Sequence, residues 1–66
     1  MPFVTVSIAR GRPPEQVRAL ISALTDAVVD SLGADKQSVR VIVTDVSPTH
    51  WAAGDITLAE RANRSG

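Results

Sequence analysis

Residues 38–46 read SVRVIVTDV, and the reading of this run decides the fold. It is rich in β-branched residues and long enough for a buried strand over Val39–Val46, stopped by Ser47-Pro48. Upstream, Phe3 to Ala9 (FVTVSIA) sets Val4, Val6 and Ile8 against Thr5 and Ser7, the period-two signature of a second strand. Between the two lies the turn RGRPP (10–14) and then EQVRALISALTDAVVDSL (15–32), where Val17, Leu20, Ile21, Leu24, Val28 and Leu32 fall at helical spacing. Pro14 suits the first helical turn and Gly33 the position that ends it. Strand, one helix and strand with short connections make a βαβ unit of the α+β (α/β) class. Its strands are expected to be parallel and joined by a right-handed crossover.

A chain of 66 residues without cysteine is expected to be one domain, 1–66, whose core is held neither by disulfides nor by thiolate-bound metal. A core of this size gives little margin, yet 44% of the residues are apolar. Two strands also make a poor sheet. A second copy supplies the missing strands most economically, giving a four-stranded sheet with two helices on one face, and its other face then needs a further cover. The expectation is therefore a homo-oligomer built in at least two stages.

Seven basic residues balance seven acidic ones, and only Phe3, His50 and Trp51 are aromatic or histidine. That pattern carries no electrostatic footprint for nucleic acid. No apolar run approaches the ~20 residues that cross a bilayer, and no charged n-region precedes an apolar h-region, so no membrane partner and a cytoplasmic location are expected. The tail THWAAGDITLAERANRSG (49–66) supports two local readings. "AAGD" permits a hairpin, and Thr57-Leu58-Ala59-Glu60 fits a capping box opening a short helix. The last four residues, NRSG, are expected to fray.

Pro2 opens the first strand, where a residue without an N–H is tolerated. A second reading concerns its nitrogen. Removal of Met1 leaves a free secondary amine, and desolvation or neighbouring cations lower the pKa of such a group. A neutral amine at a strand head can act as a general base, an effect worth roughly 10²–10⁴ in rate. Arg12 lies in the turn after the first strand, and Arg40 falls within an otherwise apolar strand, where a charge is costly unless paired. Its fork of donors fits a carboxylate from a substrate or a neighbouring subunit, and a structural ion pair or a side chain reaching off the sheet explains it equally well. Arg10 and Arg18 read as solvated charges.

Taken together, PFVTVSIARGR (2–12), SVRVIVTDV (38–46) and HWAAGD (50–55) resemble the 4-oxalocrotonate tautomerase family of the tautomerase superfamily over nearly the whole chain. The resemblance implies a βαβ unit with a C-terminal hairpin, dimerised and usually assembled as a hexamer. It implies Pro2 as catalytic base, Arg12 and Arg40 as groups that bind and polarise the substrate, and Trp51 in the place of an aromatic that walls the pocket. The implied reaction converts an unconjugated 2-oxo-alkenoate, such as the keto form of 2-hydroxymuconate, to its conjugated isomer without metal or organic cofactor. The small-molecule partner is thus an unsaturated keto acid or dicarboxylate.

Two positions depart from the family pattern: Trp51 stands where phenylalanine is frequent, and Asp55 where many members have a second glycine after Gly54. Trp51 fits a subunit interface as well as a substrate contact. His50 reads as a loop residue, since no second histidine completes a metal site. Related enzymes that hydrate or dehalogenate 3-haloacrylates carry an acid two places beyond the aromatic; here that place is Ala53. Phenylpyruvate-type tautomerisation asks less of Arg12, because its substrates are monoacids. A non-catalytic oligomeric module, with Pro2 blocked by Met1, is the reading from a different class.

Overall fold

In the computed structural model, which describes residues 1–64, β1 (Phe3–Ala9) leads through a tight corner to α1 (Pro14–Leu32) and then to β2 (Arg40–Val46). β1 and β2 pair in parallel from Phe3↔Arg40 to Ala9↔Val46, which makes the βαβ unit that the two runs predict. The alternation then sorts the sheet into two faces. Val4, Val6, Ile8, Val41 and Val43 are half-buried, while Phe3, Thr5, Ser7, Arg40, Ile42 and Thr44 stand on an open face. α1 packs against β2.

The helix begins where rigid φ angles prepare it: Pro13 precedes it at φ −67° and Pro14 fills its first position. It ends at Gly33, whose φ of 67° lets its N–H return to the Val29 carbonyl at 2.9 Å. Val17, Leu20, Ile21, Leu24 and Val28 form the half-buried stripe that their spacing predicts. Leu32 does not join it and is 69% exposed.

The second strand begins one residue later than its composition suggests. Residues Lys36–Ser38 form a single 3₁₀ turn, in which the Asp35 carboxylate accepts from the Gln37 N–H and Ser38 Oγ donates to the Asp35 carbonyl at 2.7 Å. Val39 closes that turn, and Arg40 becomes the first residue of the strand. After β2, a second such turn (Pro48–His50) is capped by Ser47.

The tail adopts both of its local readings. β3 (Ala52–Ala53) and β4 (Ile56–Thr57) form an antiparallel hairpin around Gly54 and Asp55, whose φ angles of 61° and 70° are the paired positive values of a tight I′-type turn. Thr57 then caps α2 (Leu58–Arg64): its N–H donates to Glu60 Oε1 at 2.8 Å, and the Glu60 N–H donates to Thr57 Oγ1 at 3.1 Å. Arg61 Nη2 donates to the Ala53 carbonyl at 3.1 Å, tying the helix to the hairpin. Asn63 and Arg64, expected to fray, belong to the helix; Ser65 and Gly66 lie outside the described residues.

The chain is elongated, 46 × 25 × 15 Å, with a radius of gyration of 15.2 Å against about 11 Å for a compact chain of its length. Its accessible surface is 4875 Å², whereas a folded monomer of 7.0 kDa exposes about 4000 Å². No described residue is fully buried. Among the described residues no helix is long and apolar enough to cross a membrane.

Candidate active site

Pro2 sits immediately before β1, half-buried, and its carbonyl accepts the first ladder hydrogen bond from the Arg40 N–H at 3.0 Å. The parallel register therefore fixes the proline head against the start of β2, with neighbouring strands about 4.8 Å apart. The bond uses the carbonyl side of Pro2 only. Met1, ahead of it, is 87% exposed.

Arg40 does not occupy the buried site that its apolar neighbours suggest. It is exposed, and its Nη1 donates to the carbonyl of Gln37 at 2.8 Å and of Val39 at 3.4 Å. The reason is the 3₁₀ turn at 36–38, which moves Arg40 to the strand's first position and offers its guanidinium backbone acceptors. The desolvation argument for an obligatory anion therefore lapses. What replaces it is location, because Arg40 flanks the Pro2 end of the sheet.

Arg12 lies at the opposite end of β1. From Pro2 to Ile8 the strand advances about 20 Å at ~3.3 Å per residue, more than an arginine side chain spans. A single chain thus brings together Pro2 and Arg40 but not Pro2 and Arg12. Arg12 borders a groove of about 300 Å³ lined by Ile8, Arg12, Gln16, Val17 and Leu20. Its Nη1 donates to Gln16 Oε1 at 3.4 Å. Gln16 escapes a reading that looks only for charged groups, yet the signal is visible as a spacing of four residues across the helix start.

Trp51 is half-buried between the 48–50 turn and the hairpin, and its carbonyl accepts from the Leu58 N–H at 2.9 Å. That bond extends the hairpin ladder past Ala52↔Thr57. His50 is exposed in the 48–50 turn, and among the described residues no group of three or more His, Asp or Glu side chains could hold a metal. The Thr57 N–H, and then hydrogen bonding with the Thr57 side chain, hold the Glu60 carboxyl below the ordinary glutamate value.

A family model described as a tautomerase enzyme matches residues 2–61. A probable tautomerase of Ralstonia nicotianae is 43% identical over 56 residues, covering 85% of this chain and 80% of the relative. Probable tautomerases of Staphylococcus aureus are 33% identical over 61 residues, 92% of this chain and all of theirs. Among solved structures, TomN, a 4-oxalocrotonate tautomerase homologue in the tomaymycin biosynthetic pathway, superposes with a TM-score of 0.95 at 38% identity, covering 98% of this chain and 100% of its own. The heterohexamer 4-oxalocrotonate tautomerase from Chloroflexus aurantiacus superposes with a TM-score of 0.88 at 35% identity, covering 91% of this chain and 97% of its own. With a parallel βαβ unit opening at Pro2, a C-terminal hairpin and a family match running from residue 2 to residue 61, the chain belongs to the tautomerase family, among the 4-oxalocrotonate tautomerases and their homologues.

Proposed function

We propose that this isomerase moves a proton along an unsaturated 2-oxo or 2-hydroxy carboxylate, such as 2-hydroxymuconate, with the amine of Pro2 as general base. The observation that carries the reading is the 3.0 Å bond between the Pro2 carbonyl and the Arg40 N–H, which sets an amine-bearing residue and a guanidinium-bearing residue at one end of the sheet. With Met1 removed, the Pro2 nitrogen takes a proton from the carbon between the carbonyl and the double bond of the unconjugated 2-oxo form, or from the 2-hydroxyl of a dienol such as 2-hydroxymuconate. The electron pair moves onto the carbonyl oxygen, where Arg40 stabilises the charge. The same nitrogen returns the proton two carbons further along, and conjugation results. No electron is gained or lost, and no cofactor enters the balance.

Arg12 anchors the far carboxylate of a diacid. Since it follows the far end of β1, a strand that runs about 20 Å from Pro2 to Ile8, a neighbouring copy must deliver it. The surplus surface and the lack of any fully buried residue among those described support that assembly, and a dimer with a four-stranded sheet, further assembled as a hexamer, is the arrangement we propose. The heterohexameric relative supports the same stoichiometry. Trp51, at the root of the hairpin, walls the pocket and excludes water, which strengthens each charge contact. The substrate class covers both breakdown of aromatic compounds and natural-product assembly, the setting of TomN.

The test begins with the intact mass of the purified protein, where loss of Met1 is expected. Conversion of 2-hydroxymuconate, phenylenolpyruvate and 3-chloroacrylate is then followed spectrophotometrically. The first is expected to turn over fastest, and Pro2→Ala to lower kcat/KM by roughly 10²–10⁴. Arg40→Ala is expected to lower it without a matching loss of stability. Retained Met1, or full turnover in both variants, removes the assignment.

A further inference from the structure

The corner before α1 holds Arg12 more firmly than an exposed loop requires. Gly11 adopts φ 121°, a conformation closed to most side-chain-bearing residues, and Pro13 follows at φ −67°. A residue that precedes proline is itself confined to extended backbone, so Arg12 is constrained from both sides. The end of its side chain reaches the helix as well, through a long hydrogen bond from Nη1 to Gln16 Oε1 at 3.4 Å. Gln16 is in turn seated by its own N–H on the Pro13 carbonyl at 3.0 Å, within the first helical turn.

We propose that Gln16 is a positioning residue that presents the Arg12 guanidinium to the distal carboxylate of a diacid substrate; this rests on the reading of Arg12 as the carboxylate anchor. The argument lies in what the acceptor is. An amide oxygen orients the planar fork by occupying one N–H, yet it leaves the positive charge uncompensated and the other four donors free. A carboxylate in the same place would fix the fork equally well but would compete with the substrate for it. On the groove side, Ile8, Val17 and Leu20 offer no acceptor for the guanidinium. One neutral tether and an apolar flank thus leave the charge aimed outward, available for a bidentate partner.

The test measures binding by calorimetry on the full chain, using trans,trans-muconate as an unreactive diacid and sorbate as a monoacid with the same six-carbon diene of the same geometry. Gln16→Met keeps side-chain length and helix propensity but removes the acceptor; Gln16→Glu keeps the acceptor but adds a competing charge. Each is expected to weaken muconate binding by about two- to fivefold, the factor that a surface ion pair represents, with sorbate unchanged. Unchanged or tighter muconate binding by Gln16→Met overturns the proposal, and so does equal weakening of sorbate. Arg12→Ala separates the two layers. If it weakens muconate while both Gln16 variants do not, the positioning role alone fails. If it leaves muconate unaffected, or if the unaltered protein does not bind muconate, the anchor reading fails and takes this inference with it.

Discussion

Ile42→Asp is expected to take the assembly apart. Ile42 lies on the open face of the sheet, opposite Thr5 in the ladder, and is 48% exposed in a single chain. Fully burying an isoleucine contributes about 1.5–3 kcal/mol, so covering the remaining half contributes about 1 kcal/mol per copy. In the proposed assembly, where open faces of the sheets cover one another, two such copies lose about 2 kcal/mol together, roughly 30-fold in dissociation constant at 1.4 kcal/mol per decade. A carboxylate at that place adds its own desolvation, several kcal/mol in an apolar contact. Because no described residue is fully buried, a released copy is expected to lose its fold rather than persist as a stable monomer. Sedimentation velocity and thermal unfolding across a hundredfold range of concentration read both effects. The unaltered protein is expected to melt at a temperature that rises with concentration, and Ile42→Asp to sediment as a smaller, unfolding species. A folded monomer whose melting temperature ignores dilution refutes the reasoning, as does a variant that sediments like its parent.

Two further outcomes concern the C-terminal segment. The Glu60 carboxyl titrates below its unfolded value, so the capping box contributes stability above the unfolded carboxylate pKa and loses it as pH falls through the folded one. Glu60→Gln should flatten that acid limb when the fluorescence of Trp51, the sole tryptophan, is followed below pH 5; an unaltered limb contradicts the coupling. At the hairpin tip, Asp55 holds φ 70°, which glycine accepts freely and a β-branched residue does not. Asp55→Val is expected to cost about 1–2 kcal/mol in chemical denaturation, while Asp55→Gly stays within about 0.5 kcal/mol of the parent.

The βαβ unit was legible because its two hydrophobic periods differ, two for Val4-Val6-Ile8 and 3.6 for Val17-Leu20-Ile21-Leu24. The start of β2 was not, because Asp35 and Ser38 close a 3₁₀ turn through hydrogen bonds that leave no periodic trace. In the tail both local signals were readable, but not their coexistence, since Thr57 serves at once as the partner of Ala52 and as the cap of α2. The candidate site divides similarly. That Pro2 and Arg40 share an end follows from parallel strands beginning together. The separation of Arg12 from Pro2 also follows from topology, one residue preceding β1 and the other succeeding it. The exposure of Arg40 was one of the readings left open, and the start of the strand at that residue selects it, since apolar neighbours in sequence are not neighbours in burial there.

The first rung of the ladder holds Pro2 by its carbonyl and asks nothing of its nitrogen. Fusion of a purification tag ahead of Pro2 would turn that nitrogen into an amide while leaving the rung intact. On the proposed chemistry, such a preparation would keep that rung of the sheet and be inert in the cuvette. Recombinant work on this protein should therefore leave the amino end native.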